Sequence, residues 1–389
     1  MQALFPLSDI QTQLQDSLGR WLADTVPFSR RAALLATPDA VLPLWQGLAQ
    51  SLGLVGAAMP EASGGMGGGL ADHLLIQQAL GQALVPEPYC AFAVLGAGLL
   101  QRLAGELPHQ LLAGFIAGAV RPVLATLEPG ARFDLAQVHS RLQASSPTSN
   151  VSVLSGRKTM VRAAPQATHW LVSARDANGL LRLALVQPGA AGVSQRHIPL
   201  ADGAWAAELA FDNTPIEALL GAPGQDLLPL IEKVQDEATL ACSAEAIGVM
   251  QRLLRDTLDH VRQRQQFGVA LSSFQVIRHR LADMQMALLQ ANALVGATLA
   301  LMDGPATQRQ IAAATAQVAV ARACRSVGQG AVQLHGGMGM TDELAVGHAF
   351  KRLTLIEALG GGVDAQLRRV ATITAAASAA APAPAHTNT

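Results

Sequence analysis

Arg264-Gln265-Gln266-Phe267-Gly268, with Ser273-Phe274-Gln275 and His279-Arg280-Leu281-Ala282-Asp283-Met284 behind it, is the most informative stretch of this chain. It sits inside a long amphipathic helical pattern, whose apolar residues recur at the spacing of a helix that buries one face. A plain core helix needs neither a glycine, which weakens a helix interior, nor a cluster of Arg and Gln.

Working outward, the helical period runs from about residue 225 to 377. The pattern predicts helices over 236–266, 275–302, 308–334 and 353–377, the last interrupted or capped by Gly360-Gly361-Gly362. Four long antiparallel helices make a bundle. Residues 121–224 differ. Short apolar runs at 151–154, 170–172, 181–186 and 206–211 alternate with turn signals at Ser155-Gly156, Asn178-Gly179, Pro188-Gly189 and Asp212-Asn213. That pattern suits a small β-barrel or sandwich. Residues 1–120 return to helical spacing, with Leu14, Leu18, Trp21 and Leu22 as one stripe and Val41, Leu44, Trp45, Leu48 and Leu52 as another. The Ala- and Pro-rich stretch 378–389 reads as a disordered tail. Helices, then strands, then a bundle make an α+β arrangement.

Composition narrows the function. Half of the 389 residues are hydrophobic, 14% are charged, and the net charge is −1. No basic field attracts nucleic acid or anionic lipid. Apolar runs stop well short of the ~20 residues a membrane span needs. Ala, Leu and Gly dominate, which favours helices packed closely through small residues. Cys90, Cys242 and Cys324 are widely spaced and without metal-ligand spacing, so buried reduced thiols are expected. The N-terminus lacks the basic start and apolar run of a signal peptide, and a cytoplasmic setting is expected.

Arg-x-Gln-Phe-Gly, Phe-Gln and His-x-Leu-Ala-Asp-Met together resemble the C-terminal helical domain of acyl-CoA dehydrogenases. Other motifs agree in order and spacing over nearly the whole chain. Trp45, Leu48-Ala49 and Leu52-Gly53-Leu54, then Pro60-Glu61, Gly64-Gly65 and Gly67, resemble the family's N-terminal motif. Glu128-Pro129-Gly130-Ala131 is similar to its E-P-G-A turn, and Gln333-Leu334-His335-Gly336-Gly337-Met338-Gly339 to its Q-x-x-G-G-x-G loop. The resemblance implies three parts: an N-terminal helical domain, a middle β-barrel or sandwich and a C-terminal four-helix bundle. It also implies FAD as cofactor, an acyl-CoA substrate and an electron-transfer flavoprotein-like acceptor.

In that family, the Arg and its neighbours reach the diphosphate and adenosine end of an FAD held by an adjoining subunit. Arg264 supplies a two-pronged donor. Gly268, Gly336 and Gly337 let main chain approach a bulky ligand. Gln266, Gln275 and Gln333 suit phosphate, ribose or adenine edges, and Phe267 belongs to the same motif. Plainer readings stand beside these: a solvated helix residue for Arg264, a helix cap for Gly336-Gly337, and core packing for Phe267 and Phe274. His279 and His335 read as structural hydrogen bonders, Asp283 as a buried ion-pair or capping partner, and Glu61 as a loop carboxylate or the rim of an acyl pocket.

The chain departs from the family where chemistry is done. The resemblance calls for a Glu base at one of two positions, which fall here on Gly360 and Ala238. Glu237, Glu357 and Asp364 are the substitutes nearby, and Glu245 is expected to face a neighbouring helix. Leu127 and Phe133 replace hydroxyl residues of the flavin cradle, and Met160-Val161-Arg162 stands where a Trp-Ile-Thr packs on the flavin ring. The parts that reach into a neighbour's site are kept, and those that hold a flavin of its own are not. This resembles the small subunits of two-gene, α2β2 acyl-CoA dehydrogenases of pimeloyl-CoA and steroid side-chain type, whose large subunit supplies the base. Segments 243–248 and 348–353 are similar to that subgroup. The other readings are a flavin-free scaffold or regulatory paralogue, and a homo-oligomeric FAD enzyme with a relocated base.

Overall fold

The computed structural model describes residues 3–86, 88–144 and 152–380. Helices come first: α1 (Asp9–Thr25), α2 (Arg31–Leu35), α3 (Leu42–Gln46), α4 (Leu70–Gln82), α5 (Gly98–Leu100) and α6 (Glu106–Ile116). Strands follow: β1 (Pro122–Ala125), β2 (Arg141–Ala144), β3 (Ser152–Arg162), β4 (His169–Arg175), β5 (Leu181–Val186), β6 (Val193–Pro199), β7 (Trp205–Pro215) and β8 (Ala218–Leu220). The last part holds α7 (Leu228–Gln263), the two-residue strands β9 (Gln265–Gln266) and β10 (Val269–Ala270), α8 (Gln275–Leu299), α9 (Ala306–His335), α10 (Ala345–Ala358) and α11 (Gly362–Ala380). The expected succession of helices, strands and helical bundle is present.

The N-terminal helices gather on an aromatic knot. Trp45 meets Phe92 edge-on at 5.1 Å and Phe115 at 5.6 Å, and its indole N–H donates to the Gly118 carbonyl at 3.3 Å. Full burial of Phe92 and Phe115 contributes about 1.5–3 kcal/mol each. α1 starts at a capping box, Ser8 accepting from the Gln11 amide while the Gln11 side chain accepts from Ser8 N–H.

The middle strands form one mixed eight-stranded sheet, in the order β6-β7-β3-β2-β4-β5-β8 with β1 parallel to β4. Two expected turns are not turns. Ser155-Gly156 and Asp212-Asn213 face each other inside β3 and β7, where pairing slips between Leu154 and Gly156. Gly156 (φ +150) and Asn213 (φ +47) carry the distortion, and the ladder resumes beyond it as at a β-bulge. Asn178-Gly179 does turn the chain between β4 and β5, with Gly179 N–H bonded to Asp176 O at 3.0 Å. β6 had no sequence signal because it is largely exposed and lacks apolar alternation.

Among the described residues the C-terminal part has five α-helices where four were expected. Gly360, Gly361 and Gly362 all take positive φ (+63, +86, +71), so the expected helix over 353–377 is split into α10 and α11. α11 runs to Ala380, into the stretch expected as a tail, and 381–389 lie outside the described residues. α7, 36 residues long, is the axis of this part and packs on α4, α8, α9 and α10. It crosses α4 at near backbone contact. A Cβ on Gly248 would sit 2.0 Å from Gln78 O, and one on Gly81 would sit 2.2 Å from Glu245 O.

Candidate functional site

α7 ends at Gln263, three residues before the helix expected from the sequence. Arg264 leaves the helix in extended conformation (φ −72, ψ 125), its N–H still bonded to His260 O at 2.8 Å. β9 and β10 then pair as a hairpin, Gln266 opposite Val269 and Gln265 opposite Ala270. The two connecting residues, Phe267 (φ +53) and Gly268 (φ +80), both lie in the left-handed region, as a tight primed hairpin turn requires. Phenylalanine is a poor residue there, and it is 93% exposed, with the Phe274 ring edge-on at 6.2 Å.

Arg264 and Gln266 are exposed, and among the described residues neither side chain makes an ion pair or hydrogen bond. Gln275 opens α8, exposed, 3.4 Å from the His279 ring nitrogen. A histidine stack ties the second group to the first. His335, the last residue of α9, lies on His260 with ring centroids 4.2 Å apart and planes 23° apart, and its Nδ1 is 2.9 Å from Ala331 O. His260 stands one turn before Arg264, and His335 immediately before Gly336. The stack therefore joins the ends of α7 and α9 and presents Arg264, Gln333, Gly336 and Gly337 from that junction. Gln333, Gly336 and Gly337 are exposed, and a Cβ on either glycine would meet nothing within 4 Å. Asp283, expected as a buried partner, is exposed and makes no ion pair among the described residues, because its position on α8 faces away from the bundle.

The base positions hold no carboxylate. Gly360 is left-handed, its carbonyl accepting from the Gln366 amide at 2.9 Å. Ala238 is buried in α7. Glu237 is ion-paired to Arg102 at 2.8 Å, and burial raises its pKa despite that partner. Glu357 pairs with Arg325, and Asp364 is exposed in the first turn of α11.

The Glu128 turn, expected at the flavin cradle, is tied to β3 by a buried ion pair. Glu128 is buried against Lys158 Nζ at 2.7 Å and accepts from His139 and Ser140 N–H at 2.6 and 3.0 Å. Burial pulls the Lys158 pKa down to about 8 in spite of this carboxylate. Phe133 is left-handed (φ +69) and half-exposed, with its ring beside Gly361. Met160 is left-handed too (φ +51). Behind it lies a charge cluster with no local sequence signal. Arg352 grips Glu245 with two bonds, at 2.6 and 2.7 Å, and Asp202 with a third at 2.8 Å. Glu245 thus faces a neighbouring helix, as expected. Arg31 donates to the carbonyls of Asp202 and Leu84. Arg31, Leu84, Arg162, Asp202, Glu245 and Arg352 all line one small cavity of ≈ 30 Å³.

Among the described residues no helix is long and apolar enough to cross a membrane. Comparison with known proteins matches the N-terminal domain of acyl-CoA dehydrogenases to residues 8–106 and their C-terminal domain to residues 230–374. The chain is 28% identical over 328 residues to acyl-CoA dehydrogenase IpdE2 of Mycobacterium tuberculosis, covering 84% of this chain and 85% of that one. It is 29% identical over 337 residues to acyl-CoA dehydrogenase FadE27 of the same organism, covering 84% and 86%. Among solved structures, a variant of the Tcur3481-Tcur3483 steroid ACAD superposes with TM-score 0.85 at 27% identity, covering 96% of this chain and 99% of that one. The ChsE4-ChsE5 complex from Mycobacterium tuberculosis superposes with TM-score 0.80 at 24% identity, over 97% and 100%. With both domains matched in order and the fold shared end to end, the chain belongs to the acyl-CoA dehydrogenase family, oxidoreductases that act with FAD on the CH–CH bond of acyl-CoA.

Proposed function

We propose that this chain is the small, or β, subunit of a two-chain, α2β2 acyl-CoA dehydrogenase, and that it completes an FAD site held mainly by the large subunit. The observation that carries this reading is the open outward surface around Arg264, set against cradle positions that hold no donor. Outward, Arg264 has no partner among the described residues, and its fork suits a diphosphate. Gly337 has neither a positive φ nor a crowded Cβ, so nothing described within the chain demands glycine there. Glycine there leaves room for a close approach from outside. Gln266, Phe267, Gln275, Gln333 and Gly336 surround the same junction.

Inward, the residues do not fit a flavin of the chain's own. Leu127 and Phe133 offer no hydrogen-bond donor at the cradle positions, and Met160 is no planar ring to pack on a flavin. Neither expected base position, Gly360 or Ala238, carries a carboxylate to remove the substrate α-proton, which the large subunit supplies in this reading. When bound, FAD accepts the β-hydride. The pairing of two products in the names Tcur3481-Tcur3483 and ChsE4-ChsE5 supports the reading. The acyl-CoA is shared between the two chains, and electrons leave to an electron-transfer flavoprotein-like acceptor.

The test is colour and flavin content. The chain alone is colourless, and co-expression with its large subunit gives a yellow complex. Arg264→Ala lowers FAD retained by that complex about tenfold, equivalent to ~1.4 kcal/mol. Unchanged FAD content removes Arg264 from the diphosphate site. A yellow chain on its own favours the homo-oligomer with Glu237 or Asp364 as base, and a colourless complex favours the flavin-free scaffold.

A further inference from the structure

We infer that Cys90 and Cys242 form a redox-active dithiol, which a small hydroperoxide converts to a disulfide. The two cysteines are 152 positions apart, yet their Sγ atoms lie 3.5 Å from each other in the buried core. Cys90 begins the π-helical stretch Cys90–Ala97, and Cys242 is near the middle of α7. A disulfide needs the sulfurs about 2.05 Å apart, so closure takes a displacement of roughly 1.5 Å.

Charge gives the two thiols different roles. Arg162 Nη1 lies 3.8 Å from Cys242 Sγ, and Arg162 makes no ion pair among the described residues. The nearby carboxylates, Glu245 and Asp202, are both held by Arg352. A Cys242 thiolate is therefore the anion placed to balance Arg162, with Cys90 S–H donating to it. The same hydrogen bond pushes the Cys242 pKa down to about 6, against burial, and pushes that of Cys90 up. Cys242 is the attacking sulfur and Cys90 the resolving one. Cys324, also buried but without a cysteine or arginine contact among the described residues, has its thiol pushed up by burial.

Access selects the oxidant. Arg162, Ala91 and Glu245 line the ≈ 30 Å³ cavity, which puts a water-sized space one side chain from Cys242. Hydrogen peroxide fits such a space, and a tripeptide thiol does not. The Cys242 thiolate attacks one peroxide oxygen, so an S–O bond forms and the O–O bond breaks. The leaving oxygen takes a proton from water and departs as water, or as an alcohol from an alkyl hydroperoxide. Cys90 sulfur then attacks the sulfenic sulfur, forming S–S and breaking S–O. The released hydroxide takes the Cys90 proton and leaves as water. The two thiols lose two electrons and the peroxide gains them.

The native full-length chain is treated with hydrogen peroxide, quenched with catalase, denatured and alkylated. Against untreated chain alkylated in the same way, the expected result is two fewer alkyl labels and about 2 Da less besides, a Cys90–Cys242 cross-linked peptide and one labelled thiol, on Cys324. Cys90→Ser stops at a Cys242 sulfenic acid trapped by dimedone, whereas Cys242→Ser leaves Cys90 unreacted. Oxidation of Cys324 as fast as the pair, or no thiol loss while the protein stays folded, overturns the inference. The wild-type experiment decides this even if a variant fails to fold.

Discussion

His73 is a buried neutral imidazole on α4, 3.0 Å from the Tyr89 hydroxyl. Burial lowers its pKa to about 4, outweighing the pull of Asp72, with Arg102 adding to the drop. Above pH 6.5 the ring is neutral folded or unfolded and has no effect on the balance. As pH falls from 6.5 towards 4 the unfolded chain takes up a proton that the folded one refuses, and stability falls by about 3 kcal/mol. In urea unfolding at pH 7, 5 and 4, His73→Gln is expected to lose less stability than wild type by that amount, and equal losses would refute the assignment. Residues of this kind differ in how far the sequence exposes them. Arg264 and Gly360 belong to contiguous motifs and were readable locally. Arg352–Glu245, Arg31–Asp202 and Cys90–Cys242 join positions more than a hundred apart, so no local spacing announces them.

At the scale of elements, the abundance of Ala and Gly pointed to helices in close contact, and the α4–α7 crossing is such a contact. Gly248→Ala places a methyl about 2.0 Å from the Gln78 carbonyl, where backbone has no room to yield. It is expected to destabilise the protein by about 1–3 kcal/mol. Gly19→Ala, exposed in mid-α1 with nothing near its Cβ, is expected to stabilise it by about 0.5–1 kcal/mol. Denaturant midpoints moving the same way for both would contradict the packing argument. Long helices were legible because burial imposes a regular period over many residues. Their ends were not. α7 stops at Gln263 because a left-handed turn follows, and glycine-rich segments at 360–362 break a continuous apolar pattern. Bulges misled for a related reason: Gly and Asn mark unusual φ, whether the strand ends there or only slips.

At the scale of the whole molecule, the hairpin after α7 is exposed from Arg264 to Val269. Phe267 and Val269 project from it, and Val276 is exposed on the first turn of α8, at 93%, 44% and 64% exposure. An apolar group on a strained turn suits contact with a second chain, which is where the proposed assembly places it. Phe267→Asp separates folding from assembly. Asp tolerates positive φ better than Phe, so the turn keeps its shape. No buried contact is lost, so the unfolding midpoint of the isolated chain should stay within about 0.5 kcal/mol of wild type. A carboxylate at the centre of an apolar contact, beside a diphosphate, is disfavoured by desolvation and by repulsion. Affinity for the large subunit is therefore expected to fall at least about tenfold, with FAD lost in parallel. Calorimetry or size-exclusion titration of the two chains measures the first, and absorbance of the purified complex the second. Wild-type affinity with unchanged flavin would move the subunit contact away from this hairpin. A lowered unfolding midpoint in the isolated chain would mean that Phe267 packs within its own fold.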